Sequence, residues 1–290
     1  DFRELSINPD GKTAVGPGCV DMKGGLVIAV AALEAREAVG ADASWSFYLN
    51  SDEETGTYHS SARLTAESQK HEFGIALEPA LPGGELAIER MGAGQFMVET
   101  TGRSAHVGRA FTDGVSAVTK LAECLVAIGE MPDPERGLIL NVGPLQGGPV
   151  VNAVPDLARA WGNVRFPSEK ESDEIAAMLD ALATRDDAVP GVKVYRSFNR
   201  PAKPLIPETE ALGLQARSAA EDLGQQLPFK STGGVCDGNI MQAAGLPTID
   251  TLGVRGGGLH TPEEWIELGS LVERCQLMAV LVHRLCSGGA

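Results

Sequence analysis

The chain has 290 residues, 43% of them hydrophobic and 22% charged, enough to bury a sizeable core in about two domains. Acids outnumber bases 39 to 24, and the net charge of −15 argues against nucleic acid or an anionic membrane as a partner. No apolar run approaches the ~18 residues of a membrane-spanning helix, and five cysteines scattered without a CxxC pair read as reduced thiols of a cytoplasmic protein.

In chain order, the first informative segment is Gly16-Pro-Gly-Cys-Val-Asp-Met-Lys-Gly-Gly25. Glycines surround Asp21, and an apolar helical run from Leu26 to Val39 follows at once. Glycine lets the backbone approach a ligand closely, so Asp21 sits where an ion could be held; the plainer reading is a glycine-rich lead into a helix. Next, a short apolar strand, Ser46 to Leu49, runs into Asp52, Glu53 and Glu54 and then a glycine turn. Three adjacent acids repel one another, so either they share a cation or a proton, or they form a solvated loop. Glu78 ends another apolar strand in Ile75-Ala-Leu-Glu-Pro79, and His260 follows the apolar stretch Thr248 to Val254 in Gly256-Gly-Gly-Leu-His-Thr-Pro262. Carboxylates and an imidazole at successive strand ends are a donor set that Zn²⁺ accepts.

Two rhythms divide the chain. Residues 22–88 and about 204–290 alternate helical stretches with short apolar strands, as a doubly wound α/β sheet does. Between them the order is strand Gln95 to Thr101, helix Gly114 to Ile128, strands Gly137 to Leu145 and Ala158 to Phe166, helix Glu169 to Thr184 and strand Val192 to Phe198. That β-α-β-β-α-β order is ferredoxin-like. The expected organisation is a catalytic domain split into 1–89 and 203–290 around an inserted α+β domain at 90–202.

Seven segments, GPGCVDMKGG, NSDEETGT, ALEP, GRSAHVG, VVNAVP, STGGVCDGN and GGGLHTP, stand in the order in which they occur in a known family. The chain resembles the zinc amidohydrolases that include carboxypeptidase G, aminoacylase, acetylornithine deacetylase and succinyl-diaminopimelate desuccinylase. The resemblance implies a doubly wound zinc-peptidase-type domain carrying a ferredoxin-like dimerisation domain. It also implies amide hydrolysis of an N-acyl amino acid or a peptide with a free carboxylate. It assigns Asp21 as the bridge between two Zn²⁺ ions, Glu53 as general base, Glu54 and His260 as ligands of one ion and Glu78 as ligand of the other; Co²⁺ or Mn²⁺ can replace zinc in such sites. A Glu at the position of Glu78 goes with carboxypeptidases and deacylases. The same resemblance gives His106 to the active site of a partner subunit in a homodimer, where it polarises the scissile carbonyl. Asn152 and Arg200 would bind the substrate carbonyl and carboxylate, the latter through a two-pronged guanidinium. Gly233 and Gly234 would line the substrate pocket, and Asp237 beside them reads equally as a helix N-cap.

One departure stands out. The family opens on a His-x-Asp motif further upstream of the bridging Asp than the twenty residues that precede Asp21, and none of the chain's five histidines stands in that context. The second metal position is then expected to keep only Asp21 and Glu78. The chain reads as an N-terminally shortened piece of a longer enzyme, with the first strands of the catalytic domain absent. That leaves an alternative in which it is an inactive dimerisation or binding module.

Overall fold

In the computed structural model, which describes residues 4–41 and 44–287, the chain forms two units, Asp1–Arg90 with Pro204–Ala290, and Met91–Lys203. The first unit begins with a hairpin of β1 (Ser6–Ile7) and β2 (Thr13–Val15), then an irregular turn over Cys19–Lys23 and the helix α1 (Gly24–Ala38). Ile28, Ala29, Ala32 and Arg36 share the buried face of α1, the three- and four-residue spacing of an amphipathic helix. Helix α2 (Ser61–Ser68), β3 (Gly74–Ile75) and β4 (Leu86–Arg90) complete its first half.

The second unit contains β5 (Gly92–Thr101), β6 (Ala105–His106), α3 (Val107–Ala110), α4 (Ala117–Gly129), β7 (Ile139–Gly147), β8 (Ala153–Val154), β9 (Leu157–Phe166), α5 (Glu169–Asp180) and β10 (Gly191–Arg200). Its main sheet is antiparallel in the order β10-β5-β9-β7, the ferredoxin-like arrangement. Register is unbroken from Gly92 opposite Phe166 to Thr101 opposite Leu157. Phe96, Val98 and Thr100 alternate onto the buried face, against Ala117, Leu121, Cys124 and Ile128 of α4 and Ile175 and Leu179 of α5. Gly162 faces Phe96 because a Cβ there would stand 2.2 Å from the ring.

The chain then adds α6 (Pro207–Asp222), β11 (Phe229–Thr232), α7 (Asp237–Ala243), β12 (Thr248–Ile249), β13 (Gly256–Gly257), β14 (Trp265–Glu267) and α8 (Leu268–Cys286) to the first unit. Parallel pairs β4·β11 and β3·β12 alternate with these helices, as in an α/β fold, and a further four-stranded sheet runs β1-β2-β14-β13. Ile28 and Ala32 of α1 join Leu277 and Leu281 of α8 in one core with Leu86, Leu212 and Ile249. Among the described residues no helix is long and apolar enough to cross a membrane.

Several sequence expectations need correction. Ser46 to Leu49 is not a strand: no described strand runs beside it to take its N–H and C=O groups, and it borders an open groove of about 1190 Å³ with Leu26, Leu64 and Met278. Glu78 lies beyond β3, which ends at Ile75, and of Thr248 to Val254 only Thr248–Ile249 form a strand, with Asp250 adding an isolated bridge to Ala87. The helix expected to reach Thr184 stops at Asp180, because Thr184 instead exchanges hydrogen bonds with Val192, its amide donating at 3.0 Å and its hydroxyl accepting at 2.8 Å. The helix expected from Gly114 starts at Ala117, where the Ser116 hydroxyl caps it by accepting from the Thr119 amide.

Candidate metal centre and active site

Close backbone contacts bring the acidic groups of the first unit together. A Cβ on Gly25, in the first turn of α1, would lie 2.2 Å from the Leu77 carbonyl oxygen, and one on Gly253 would lie 2.5 Å from that of Glu78. The Gly253 amide donates to the Glu78 carbonyl at 2.9 Å. Only residues without side chains let the start of α1 and the chain after β12 both abut the backbone that carries Glu78.

The three consecutive acids have divided roles. Asp52 is buried and its carboxylate accepts from the Ser60 hydroxyl and from the amides of His59 (2.8 Å) and Ser60 (3.2 Å), which holds its pKa below the usual carboxylate range. It therefore shapes the loop. Asp237 is not the N-cap of α7, a place taken by Cys236; its carboxylate accepts from the Asn50 amide at 2.7 Å and the Thr57 hydroxyl at 2.8 Å, bracing the same loop. Glu54 is thereby presented outward, with its Oε2 3.2 Å from His260 Nε2, while Asp21 Oδ2 lies 3.4 Å from the same nitrogen. One ligand atom from each of Asp21, Glu54 and His260 falls within 4.8 Å of the others. His260 has φ 62°, a left-handed conformation that costs a non-glycine residue about 1–3 kcal/mol.

The electrostatics ask for a cation. Burial and the neighbouring Glu54 charge raise the pKa of Asp21, against the pull of His260. Burial pushes Glu78 up to about 8, with Arg90 opposing and the charges of Glu53, Asp21 and Asp250 adding to the rise. Two carboxylates and an imidazole, with further acids close enough to feel them, fit a divalent ion such as Zn²⁺. Asp21, Glu54 and His260 would hold it.

A pH dependence follows from Glu78. Its carboxyl binds a proton more tightly folded than unfolded, so its stabilising contribution is complete below about pH 4.5 and is lost as pH rises through about 8. Denaturant titrations of metal-free protein are expected to lose on the order of 3 kcal/mol across that window, allowing for partial solvent screening. Glu78→Gln should flatten the slope, and an equally steep slope in that variant would remove Glu78 as its cause.

Beneath this cluster Asp250, fully buried, receives two hydrogen bonds on one oxygen from Arg90, from Nε at 3.0 Å and Nη2 at 2.7 Å, and Arg90 Nη1 donates to the Gly234 carbonyl at 3.1 Å. Sequence reasoning passed over this pair, which joins positions 160 residues apart. Gly233 and Gly234 are exposed in the loop after β11. In the second unit, β6 and β8 pair so that His106 lies opposite Ala153, and the Val107 amide donates to the Asn152 carbonyl at 3.0 Å, so His106 and Asn152 are neighbours. His106 Nδ1 accepts from the Gly108 amide at 3.1 Å, which places the proton of the exposed ring on Nε2. Arg200 is buried at the end of β10, opposite Ala93.

The chain is similar to known proteins over most of its length. The chain is 26% identical over 285 residues to carboxypeptidase G2 of Pseudomonas sp. (strain RS-16), spanning 96% of this chain and 69% of that protein. It is 27% identical over 295 residues to succinyl-diaminopimelate desuccinylase 2 of Shewanella loihica, spanning 93% and 76%. A tripeptidase from Staphylococcus aureus shares the fold with a TM-score of 0.82 at 22% identity over 98% of this chain and 76% of that one, and the aminopeptidase PepT of Bacillus cereus does so at 0.80, 23% identity, 97% and 76%. The sequence profile of Peptidase family M20/M25/M40 matches residues 2–284, taking in the Asp21 turn, the paired glutamates and the His260 loop in a single alignment, and the chain belongs to that family.

Proposed function

We propose that this chain hydrolyses an amide bond in an N-acyl amino acid or a peptide with a free carboxylate, using divalent metal, Zn²⁺ in the first instance and Co²⁺ or Mn²⁺ as substitutes. The observation that carries the reading is the Asp21–Glu54–His260 cluster, with Glu53 next in sequence to one of its members. The names of the relatives, a carboxypeptidase and a desuccinylase, support an amide substrate with an acidic or carboxylate-bearing portion.

When bound, the metal would supply Lewis-acid activation of water and of the amide carbonyl. Glu53 takes a proton from the attacking water and passes it to the leaving amine, two transfers that one carboxylate can serve only if it is not consumed as a ligand. That division of labour suits two adjacent glutamates. The Nε2 proton of His106 would be donated to the carbonyl oxygen, with Asn152 beside it, Arg200 would grip the product carboxylate, and Gly233 and Gly234 would border the pocket. Delivery of His106 calls for a homodimer through the second unit, whose edge strand β7 exposes Ile139 and Leu145. The five thiols, none in a disulfide, suit the cytoplasm.

Zinc content per chain, measured beside hydrolysis of an N-acyl glutamate, tests the proposal. Bound metal with turnover is the expected result. A metal-loaded chain without turnover would refute catalysis and leave a folded dimerisation or binding module.

A further inference from the structure

Four residues after His260 stands Glu264, a buried carboxylate. Its Oε1 accepts from the Val20 amide and from the Asp21 amide, each at 2.9 Å, and its Oε2 accepts from the Gly18 amide. Its backbone carbonyl accepts from the Gly16 amide at 3.0 Å, and its own amide donates to Thr261 at 3.3 Å. One residue thus binds both of its ends to the turn that carries Asp21, and it is joined by a single turn of chain to His260.

We infer that Glu264 is a positioning residue that sets the separation of Asp21 and His260, and with it the geometry of the metal cluster. This inference rests on the metal-centre reading given above. The argument is one of directionality. A carboxylate spends its lone pairs on backbone amides here, so it faces away from the role of a ligand and instead orients the residue that has it. The turn from Gly16 to Asp21 contains two glycines and a proline and makes little regular backbone pairing of its own, so the amides of residues 18, 20 and 21 find their acceptor in Glu264. Asp21 cannot rotate its backbone without breaking a hydrogen bond to a side chain that is itself buried. On the other side the left-handed His260 is fastened four residues away, and the hydrogen bond from Thr261 to the Gly258 carbonyl, 3.1 Å, closes that loop on itself. The two donors are held at their spacing before any ion arrives, which is the condition for tight and geometrically selective coordination.

Glu264→Gln tests this, because it keeps the shape and one acceptor oxygen but turns an N–H₂ toward one of the three amides. Cobalt(II) serves as the probe, since its visible absorption reports coordination geometry. The expected result is a 10–100-fold loss of Co²⁺ affinity together with a shifted spectrum, the size that outer partners of metal ligands usually carry, with the melting temperature of the metal-free protein lowered by only a few degrees, the cost of one lost buried hydrogen bond. Glu264→Asp, which retains the charge but is shorter by one methylene, should recover part of the affinity. Co²⁺ affinity and spectrum equal to those of the parent in Glu264→Gln would overturn the inference. A second measurement needs no variant: in the metal-free parent, hydrogen exchange at the amides of Gly18, Val20 and Asp21 should be slow, and exchange at the rate of an open loop would overturn the inference as well. A parent that shows this protection yet binds no Co²⁺ would count against the metal centre and not against the clamp.

Discussion

Replacing Asp250 by alanine is expected to destabilise the protein by about 3–5 kcal/mol, the cost of stranding a buried partner charge. Arg90 is buried and directs two of its nitrogens to one Asp250 oxygen and a third to the Gly234 carbonyl. Burial lowers the proton affinity of the guanidinium, but its neighbours, Cys236, Asp250 and Glu78, together raise it above its ordinary value. Without Asp250 the cation would remain in a site that solvent does not reach. The loss should appear as a lower denaturant midpoint at unchanged slope. An apolar double replacement, Arg90→Met with Asp250→Leu, is expected to regain most of it, because removing both charges also removes their desolvation cost. A single Asp250→Ala effect below about 1 kcal/mol would show that the pair is not a structural keystone.

Glu53→Gln should lower turnover by about 10²–10⁴-fold with metal content unchanged, the range expected for loss of a general base. Glu54→Gln should act differently, because Glu54 contacts His260 within the cluster and its loss should first weaken metal binding. Glu53 instead borders the groove together with Glu78, and its charge adds to the rise in Glu78. The readout is therefore a split: activity without metal loss in one variant, metal loss in the other. Full activity in Glu53→Gln would remove it from the proton-transfer role.

The second unit was legible because its strands follow period-two burial and its helices period-3.6 burial over ten or more residues. Phe96, Val98 and Thr100 on β5, or Ala117, Leu121, Cys124 and Ile128 on α4, are patterns that a sequence displays directly. The first unit was read less well. Its described strands are two to five residues long, too short for periodicity to mark, and Ser46 to Leu49 looked like a strand by composition while no described strand pairs with it. Asp21, His260 and the run Asp52-Glu53-Glu54 drew notice in the sequence as acids and an imidazole beside glycine turns, but choosing Glu54 from that run rested on the family resemblance. What escaped were the residues that hold the cluster in place. Asp52 and Asp237 brace one loop, and Glu264 braces another through backbone amides more than 240 residues away in the chain. Such bonds leave no local pattern, and Glu263-Glu264 reads in isolation as two solvated acids.

The division of the chain also sets an order of assembly during synthesis. The core of the second unit draws on residues between Phe96 and Ala202 only, whereas that of the first joins Ala14, Cys19 and Ile28 to Leu277 and Leu281. The inserted unit can therefore close while the ribosome is still making the rest, and the split unit must wait for its last helix. Asp21 and Glu54 are made before the inserted unit and His260 after it. A nascent chain carries the two acids without their imidazole throughout the making of the inserted unit, so the full set of three donors exists only once the second part of the split unit has been made.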